Sequence, residues 1–137
     1  MRINANAIPP NILRLMPEPE RQLLGQAGLT VPEIEAINGR KLEKKIQEEI
    51  AQYLQLHGVT FFRQRMDRKT TGTVGWPDFT FCVKGRACFF EVKRPGQQPD
   101  PEQSKVLAAL AEAGAFVRVV HSLQEAIDAY REACSQQ

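Results

Sequence analysis

Cysteine, histidine and tryptophan are scarce: three Cys, two His and one Trp in 137 residues. Cys82, Cys88 and Cys134 are odd in number and lack zinc-site spacing. They read as buried reduced thiols, which excludes a disulfide framework. His57 and His121 stand alone at the ends of expected elements and read as structural. No apolar run approaches the ~20 residues of a membrane span, so no membrane partner is expected. Residues 1–10 lack the apolar core of a signal peptide, and a cytoplasmic address is the expectation. Repeats and low-complexity tracts are absent too. The apolar fraction of 42% is that of a folded domain, so the chain is not a disordered tail.

The net charge of +2 is unevenly spread: residues 40–94 hold 12 Lys/Arg and 6 Asp/Glu, a net of +6, while the remainder is net −4. A basic middle favours a polyanionic partner.

Residues 1–38 read as a helical N-terminal extension punctuated by Pro9-Pro10 and Pro17-Glu18-Pro19. Thr30-Val31-Pro32-Glu33 has the form of a capping box with proline near a helix start. The extension carries apolar positions at Ile12, Leu13, Leu15, Leu23 and Leu24 that suit packing on the core or on a second subunit. The main domain is expected over residues 39–137. Leu42, Ile46, Ile50, Tyr53 and Leu54 recur at helical spacing up to Gly58. Residues 59–65 read as a strand and 66–77 as a polar, basic loop. Residues 78–83 and 87–93 read as a hairpin turning at Lys84-Gly85-Arg86. Asp100-Pro101-Glu102-Gln103 opens a helix with Val106, Leu107 and Leu110 on its buried face. Residues 116–120 form a strand, and Ser122-Leu123-Gln124-Glu125 caps a last helix bearing Ile127 and Tyr130. The order α-β-β-β-α-β-α predicts an α/β fold with a mixed central sheet, its third and fourth strands parallel across a helix.

Two strings carry the chemistry: Gly75-Trp76-Pro77-Asp78 and, after 12 intervening residues, Glu91-Val92-Lys93. Side chains alternate along a strand, so Glu91 and Lys93 share a face. Charged groups on a strand pair in an apolar region cost free energy unless a metal or substrate uses them. Magnesium takes one or two carboxylates, waters and substrate phosphates. Asp78, Glu91 and the backbone carbonyl of Val92 can supply the protein side, and Lys93 can hold the attacking water or meet transition-state charge. That set suits cleavage of a phosphodiester. The first helix offers a further acid. On its wheel Glu43 lies at the edge of the apolar stripe, with Gln47 one turn on, Glu49 at the opposite edge and Glu48 pointing away. Gln103 can reach the site or cap its helix. Arg63, Arg65, Arg68, Lys69 and the Thr70-Thr71-Gly72-Thr73 loop are candidate DNA-phosphate contacts, and Thr71 and Gly75 complete that set. Gly75 and Pro77 shape the approach to Asp78, while Trp76 can stack or pack.

Glu43…Gln47, Gly75-Trp76-Pro77-Asp78, Glu91-Val92-Lys93 and Gln103, in this strand order, resemble the VRR-NUC domain of the PD-(D/E)xK nucleases over residues 40–120. The resemblance implies a restriction-endonuclease-like core and a Mg2+- or Mn2+-dependent DNA endonuclease. Small stand-alone members resemble Holliday junction resolvases and act as homodimers, so branched or junction DNA is the implied substrate. By position, Asp78, Glu91 and the Val92 carbonyl would bind metal, Lys93 would be catalytic, Glu43 would assist, with a place among the metal ligands open to it, and Gln103 would support the site. A nicking or restriction-like enzyme acting on ordinary duplex shares that site. A DNA-binding module with a dead site is the reading from another class, and the intact Asp78, Glu91 and Lys93 argue against it.

Overall fold

The computed structural model describes residues 30–64 and 74–135. The chain divides into two compact units at Lys41–Leu42. Of the first unit, residues 30–41 are described, and they form the start of helix α1 (Val31–Leu56). The expected capping box is present there: Glu33 N–H donates to Thr30 Oγ1 at 3.2 Å, and Thr30 N–H to Glu33 Oε2 at 2.9 Å. The helix passes through Asn38-Gly39 without a break, although the apolar pattern begins only after it. A capped start and flanking helical turns outweigh the weak propensity of that one pair. Ile12, Leu13, Leu15, Leu23 and Leu24 lie outside the described residues.

In the second unit, α1 is followed by β1 (Phe61–Arg63), β2 (Phe79–Val83), β3 (Arg86–Val92), α2 (Pro101–Glu112), β4 (Phe116–Val120) and α3 (Leu123–Ser135). The sheet order is β1-β2-β3-β4, with β3 and β4 parallel and the other pairs antiparallel. This is the expected α/β topology. Lys84 (φ 51°) and Gly85 (φ 78°) make a two-residue turn closed by the Val83–Arg86 pair. Positive φ at both centres gives the twist that suits a tight hairpin.

Alternation sorts the strands. Phe79, Phe81, Val83, Cys88, Phe90, Val92, Phe116 and Val120 join Ile46, Ile50 and Leu54 of α1 and Ala126, Ala129 and Ala133 of α3 in one core. The opposite face shows Thr80, Phe89 and Glu91. Trp76 packs there, its ring meeting Phe89 edge-on at 5.6 Å while Nε1 donates to Thr80 Oγ1 at 3.2 Å. Trp76 therefore packs.

Several expected core positions differ. Leu42 is 42% exposed. One residue on, Glu43 meets the amide of Arg94, beyond the last residue of β3, so α1 has run past the sheet where Leu42 sits. Ile127 and Tyr130 are only half-buried, and the three alanines of α3 take the core face instead. Small side chains let that helix approach the sheet closely. Leu107 is buried as expected, with Val106 and Leu110 half-buried beside it. The three cysteines are free, but Cys82 is exposed rather than buried, because its strand parity turns it away from the core. His57 packs against Tyr53 and Tyr130, and His121 bonds the Gln97 carbonyl and Glu125.

Candidate active site

β1 ends, β2 begins, and β3 and β4 end at one edge of the sheet, and the polar residues gather there. Phe79 pairs with Phe90. Continuing that antiparallel register by one residue sets Asp78 opposite Glu91. Asp78 is held twice: its carbonyl accepts from Gln64 N–H at 2.8 Å, and its Oδ2 accepts from Val92 N–H at 2.8 Å. Lys93, half-exposed and of the same parity as Glu91, is fixed through its own amide, which donates to the Val120 carbonyl at 3.0 Å.

Glu91 lies near the end of β3, an inner strand of the sheet, and is 2% exposed. Burial pushes its carboxyl up to about 10 from an ordinary 4.5, reinforced by a hydrogen bond to Asp78 and by the charges of Asp78 and Glu43; the Lys93 charge acts the other way. In this environment Glu91 is a protonated acid at neutral pH. Its Oε2 is buried with no hydrogen-bond partner among the described residues. A buried polar atom left unsatisfied costs roughly 1–3 kcal/mol and calls for an explanation.

Both the raised carboxyl and the orphaned oxygen point to a cation. A divalent ion would supply positive charge to an acidic pair that otherwise shares a proton, and it would give the orphaned oxygen a partner. Among the described residues no three or more His, Cys, Asp or Glu side chains group as a metal cage. The chain offers two carboxylates and a strand backbone, which matches the way Mg2+ keeps waters and substrate oxygens in its shell. The residues present thus fit such an ion.

Glu43 is half-buried and its Oε1 accepts from Arg94 N–H at 3.3 Å, at the end of β3 just past Lys93. Glu48 is exposed and Glu49 half-buried. Of the two roles open to Gln103, the structure shows the cap: its Oε1 accepts from Asp100 N–H at 3.0 Å, and its own N–H donates to Asp100 Oδ1 at 2.8 Å. Gly75 (φ 86°) explains itself by contact. A Cβ there would lie 2.8 Å from the backbone carbon and oxygen of Glu102 and 3.0 Å from Gln103 N. The chain entering Asp78 is therefore pressed against the first turn of α2, with Pro77 buried behind it. Arg65, Arg68, Lys69 and Thr71 lie outside the described residues.

The structure was compared with solved ones. One, described as a "VRR_NUC domain", superposes with a TM-score of 0.54 at 23% identity, over 66% of this chain and 95% of its own. A second, a "VRR_NUC domain protein", gives 0.57 at 16% identity, over 66% of this chain and 86% of its own. The chain has the VRR-NUC fold. No protein-family model matches its sequence, and no curated protein matches it. Within the VRR-NUC fold the acidic pair stands at the end of the central strands, where side chains and backbone groups of four strands converge.

The glutamine one turn past Glu43 is the other buried polar residue of this region. Gln47, 1% exposed, accepts through Oε1 from Arg63 Nε at 3.3 Å and Nη2 at 3.1 Å. The signal was a polar residue beside the inward positions Ile46 and Ile50, where an exposed glutamine is not expected.

Proposed function

We propose that this protein is a Mg2+- or Mn2+-dependent DNA endonuclease that hydrolyses phosphodiester bonds. The carrying observation is Glu91: a buried carboxyl with an orphaned oxygen, hydrogen-bonded to Asp78, sharing its strand face with Lys93, in a chain with the VRR-NUC fold. Asp78 and Glu91, with the Val92 carbonyl, would hold the ion, which when bound neutralises phosphate charge and lowers the pKa of a coordinated water.

The chain's own residues do the rest. The amide of Val92 fixes the Asp78 carboxylate, so no reorganisation is needed when the substrate arrives. Glu91 would hold the ion as the ionised carboxylate, its proton released to solvent. Lys93 projects from the strand face that carries Glu91 and meets the attacking water or the charge building on the phosphate. Glu43 anchors the backbone just past Lys93. Gln103 ties off the helix against which Gly75 rests. Arg63, Arg65, Arg68, Lys69 and Thr71 contact the DNA backbone without reading sequence.

The substrate is branched or junction DNA and the active unit a homodimer. The described residues of one chain carry one acidic pair, and symmetrical cutting of a junction needs two, related by a twofold axis. A cytoplasmic site of action accords with a DNA substrate, and no described helix is long and apolar enough to cross a membrane. Labelled linear duplex, flap and four-way junction, each incubated with Mn2+, test the substrate reading. Faster, symmetrically placed cuts in the junction are expected. Equal rates on all three would instead support a nicking or restriction-like enzyme that acts on ordinary duplex. Sedimentation at micromolar concentration tests the dimer, and a 15.4 kDa species that still cuts junctions symmetrically would refute it.

A further inference from the structure

Two polar side chains are buried among the described residues, Glu91 and Gln47. The acidic site uses the first. The second lies on the inward face of α1 at 1% exposure, and its amide oxygen receives two N–H groups from one guanidinium, Arg63 Nε at 3.3 Å and Nη2 at 3.1 Å. A guanidinium has five N–H donors in a rigid plane. This contact takes two along one edge and leaves three on the others. Arg63 is half-exposed, so the group is not sealed in the core. Among the described residues no carboxylate pairs with it.

Its place matters. Arg63 ends β1 opposite Phe79, the residue after Asp78, and the next amide, that of Gln64, donates to the Asp78 carbonyl at 2.8 Å. The arginine therefore stems from the strand position beside the acidic pair, with its side chain on the α1 side of the same sheet end.

The partner's chemistry is the second clue. A glutamate at position 47 would hold the same edge of the guanidinium more strongly, as a charge-assisted fork. It would also cancel the positive charge. A neutral amide fixes the orientation and leaves the charge whole. That arrangement suits an arginine whose remaining donors meet an anion brought by something else. Fixing a long side chain in advance also removes an ordering cost that binding would otherwise bear.

We propose that Arg63, held by Gln47, forms a phosphate subsite that takes a phosphodiester neighbouring the one cut at Asp78 and Glu91. Arg63 is the binding residue and Gln47 its positioning residue. The proposal rests on the reading of that acidic site as one acting on DNA.

The test is the salt dependence of DNA binding in EDTA, where no cleavage occurs, measured on a fluorescent flap DNA with wild type, Arg63→Ala, Gln47→Glu and Gln47→Leu. Each phosphate neutralised contributes about 0.9 to the slope of log affinity against log salt on duplex, and about 0.7 on single strands. Arg63→Ala should lower the slope by about that amount. Gln47→Glu should lower it as much although the arginine remains, because the new carboxylate cancels its charge. Gln47→Leu should weaken binding several-fold at every salt while the slope stays that of wild type. Thermal melts identify a variant that has merely lost its fold, and Arg63→Ala, at a half-exposed position, judges the subsite if a Gln47 variant does so. Unchanged slopes in both Arg63→Ala and Gln47→Glu would overturn the subsite. A slope lowered by Arg63→Ala and not by a folded Gln47→Glu would overturn the positioning role. Cleavage by wild type with Mg2+ or Mn2+, measured alongside, separates the two readings: binding without cleavage refutes the nuclease, and cleavage with unchanged slopes refutes the subsite alone.

Discussion

Replacing Glu91 by glutamine should stabilise the metal-free protein at neutral pH, although it removes a residue of the proposed site. Glu91 binds its proton up to about pH 10 in the folded chain but only to about 4.5 when unfolded. Between those values the native state holds a proton that the unfolded state has released. Its contribution to stability is complete below pH 4.5 and is lost steadily as pH rises towards 10. Each unit of that interval is worth about 1.4 kcal/mol, so from pH 5 to pH 7 this one group lowers stability by about 3 kcal/mol. Glutamine keeps the shape of the protonated acid, keeps a donor for Asp78, and cannot ionise. Urea unfolding of wild type and Glu91→Gln in EDTA at pH 5, 7 and 8.5 reads the difference. The two should be close at pH 5, with the variant pulling ahead by roughly 3 kcal/mol at pH 7. The other titrating groups are common to both proteins and largely cancel in the comparison. Saturating Mg2+ should narrow the gap, because the ion favours the ionised carboxylate and expels its proton. Calorimetry in buffers of different ionisation enthalpy should then show close to one proton released per ion bound. Parallel stability curves, or a variant less stable than wild type at every pH, would refute the protonated, buried acid.

Three further substitutions probe the site. Lys93→Ala should slow cleavage by about 10²–10³ with the fold intact, since one lost charge-stabilising contact costs roughly 3–4 kcal/mol of barrier; single-turnover rates and circular dichroism check both halves. Glu43→Gln should slow cleavage more than Glu48→Gln or Glu49→Gln, because Glu43 bonds the backbone past Lys93 while Glu48 is exposed. Damage from Glu49→Gln instead would mean that the helix faces the site differently. Gly75→Ala should destabilise by well over the cost of Gly85→Ala: both have positive φ, but only at Gly75 would the new Cβ meet backbone atoms at 2.8 Å. Denaturant midpoints of the pair decide this, and equal losses would remove the argument that the turn before Asp78 is fixed by α2.

The sheet was legible because alternation and turn residues are local signals. Lys84-Gly85 announces its hairpin, and Asp100 and Ser122 announce their helices. Glu91 and Asp78 were legible for a different reason: two acids at matched positions of adjacent strands fall together once the hairpin register is known. What the sequence hid depends on tertiary position. Leu42 continues the apolar stripe of α1 but lies beyond the end of the sheet, and nothing local marks where a sheet stops. The alanines of α3 look unremarkable beside Ile127 and Tyr130, yet close packing against the strands selects small side chains. Gln103 reads equally well as a cap or as a site residue, and only the Asp100 geometry separates the two. Gln47 was legible as a motif residue, but its pairing with Arg63, 16 residues away, was not.

Cleavage of a labelled DNA by freshly purified protein, with and without divalent metal, tests the central claim most directly. With Mg2+ or Mn2+ the wild type should cut internal phosphodiester bonds, EDTA should abolish the cutting, and Asp78→Ala, folded and as soluble as wild type, should leave no activity above background. Full activity in EDTA, or wild-type rates in Asp78→Ala, would contradict the account.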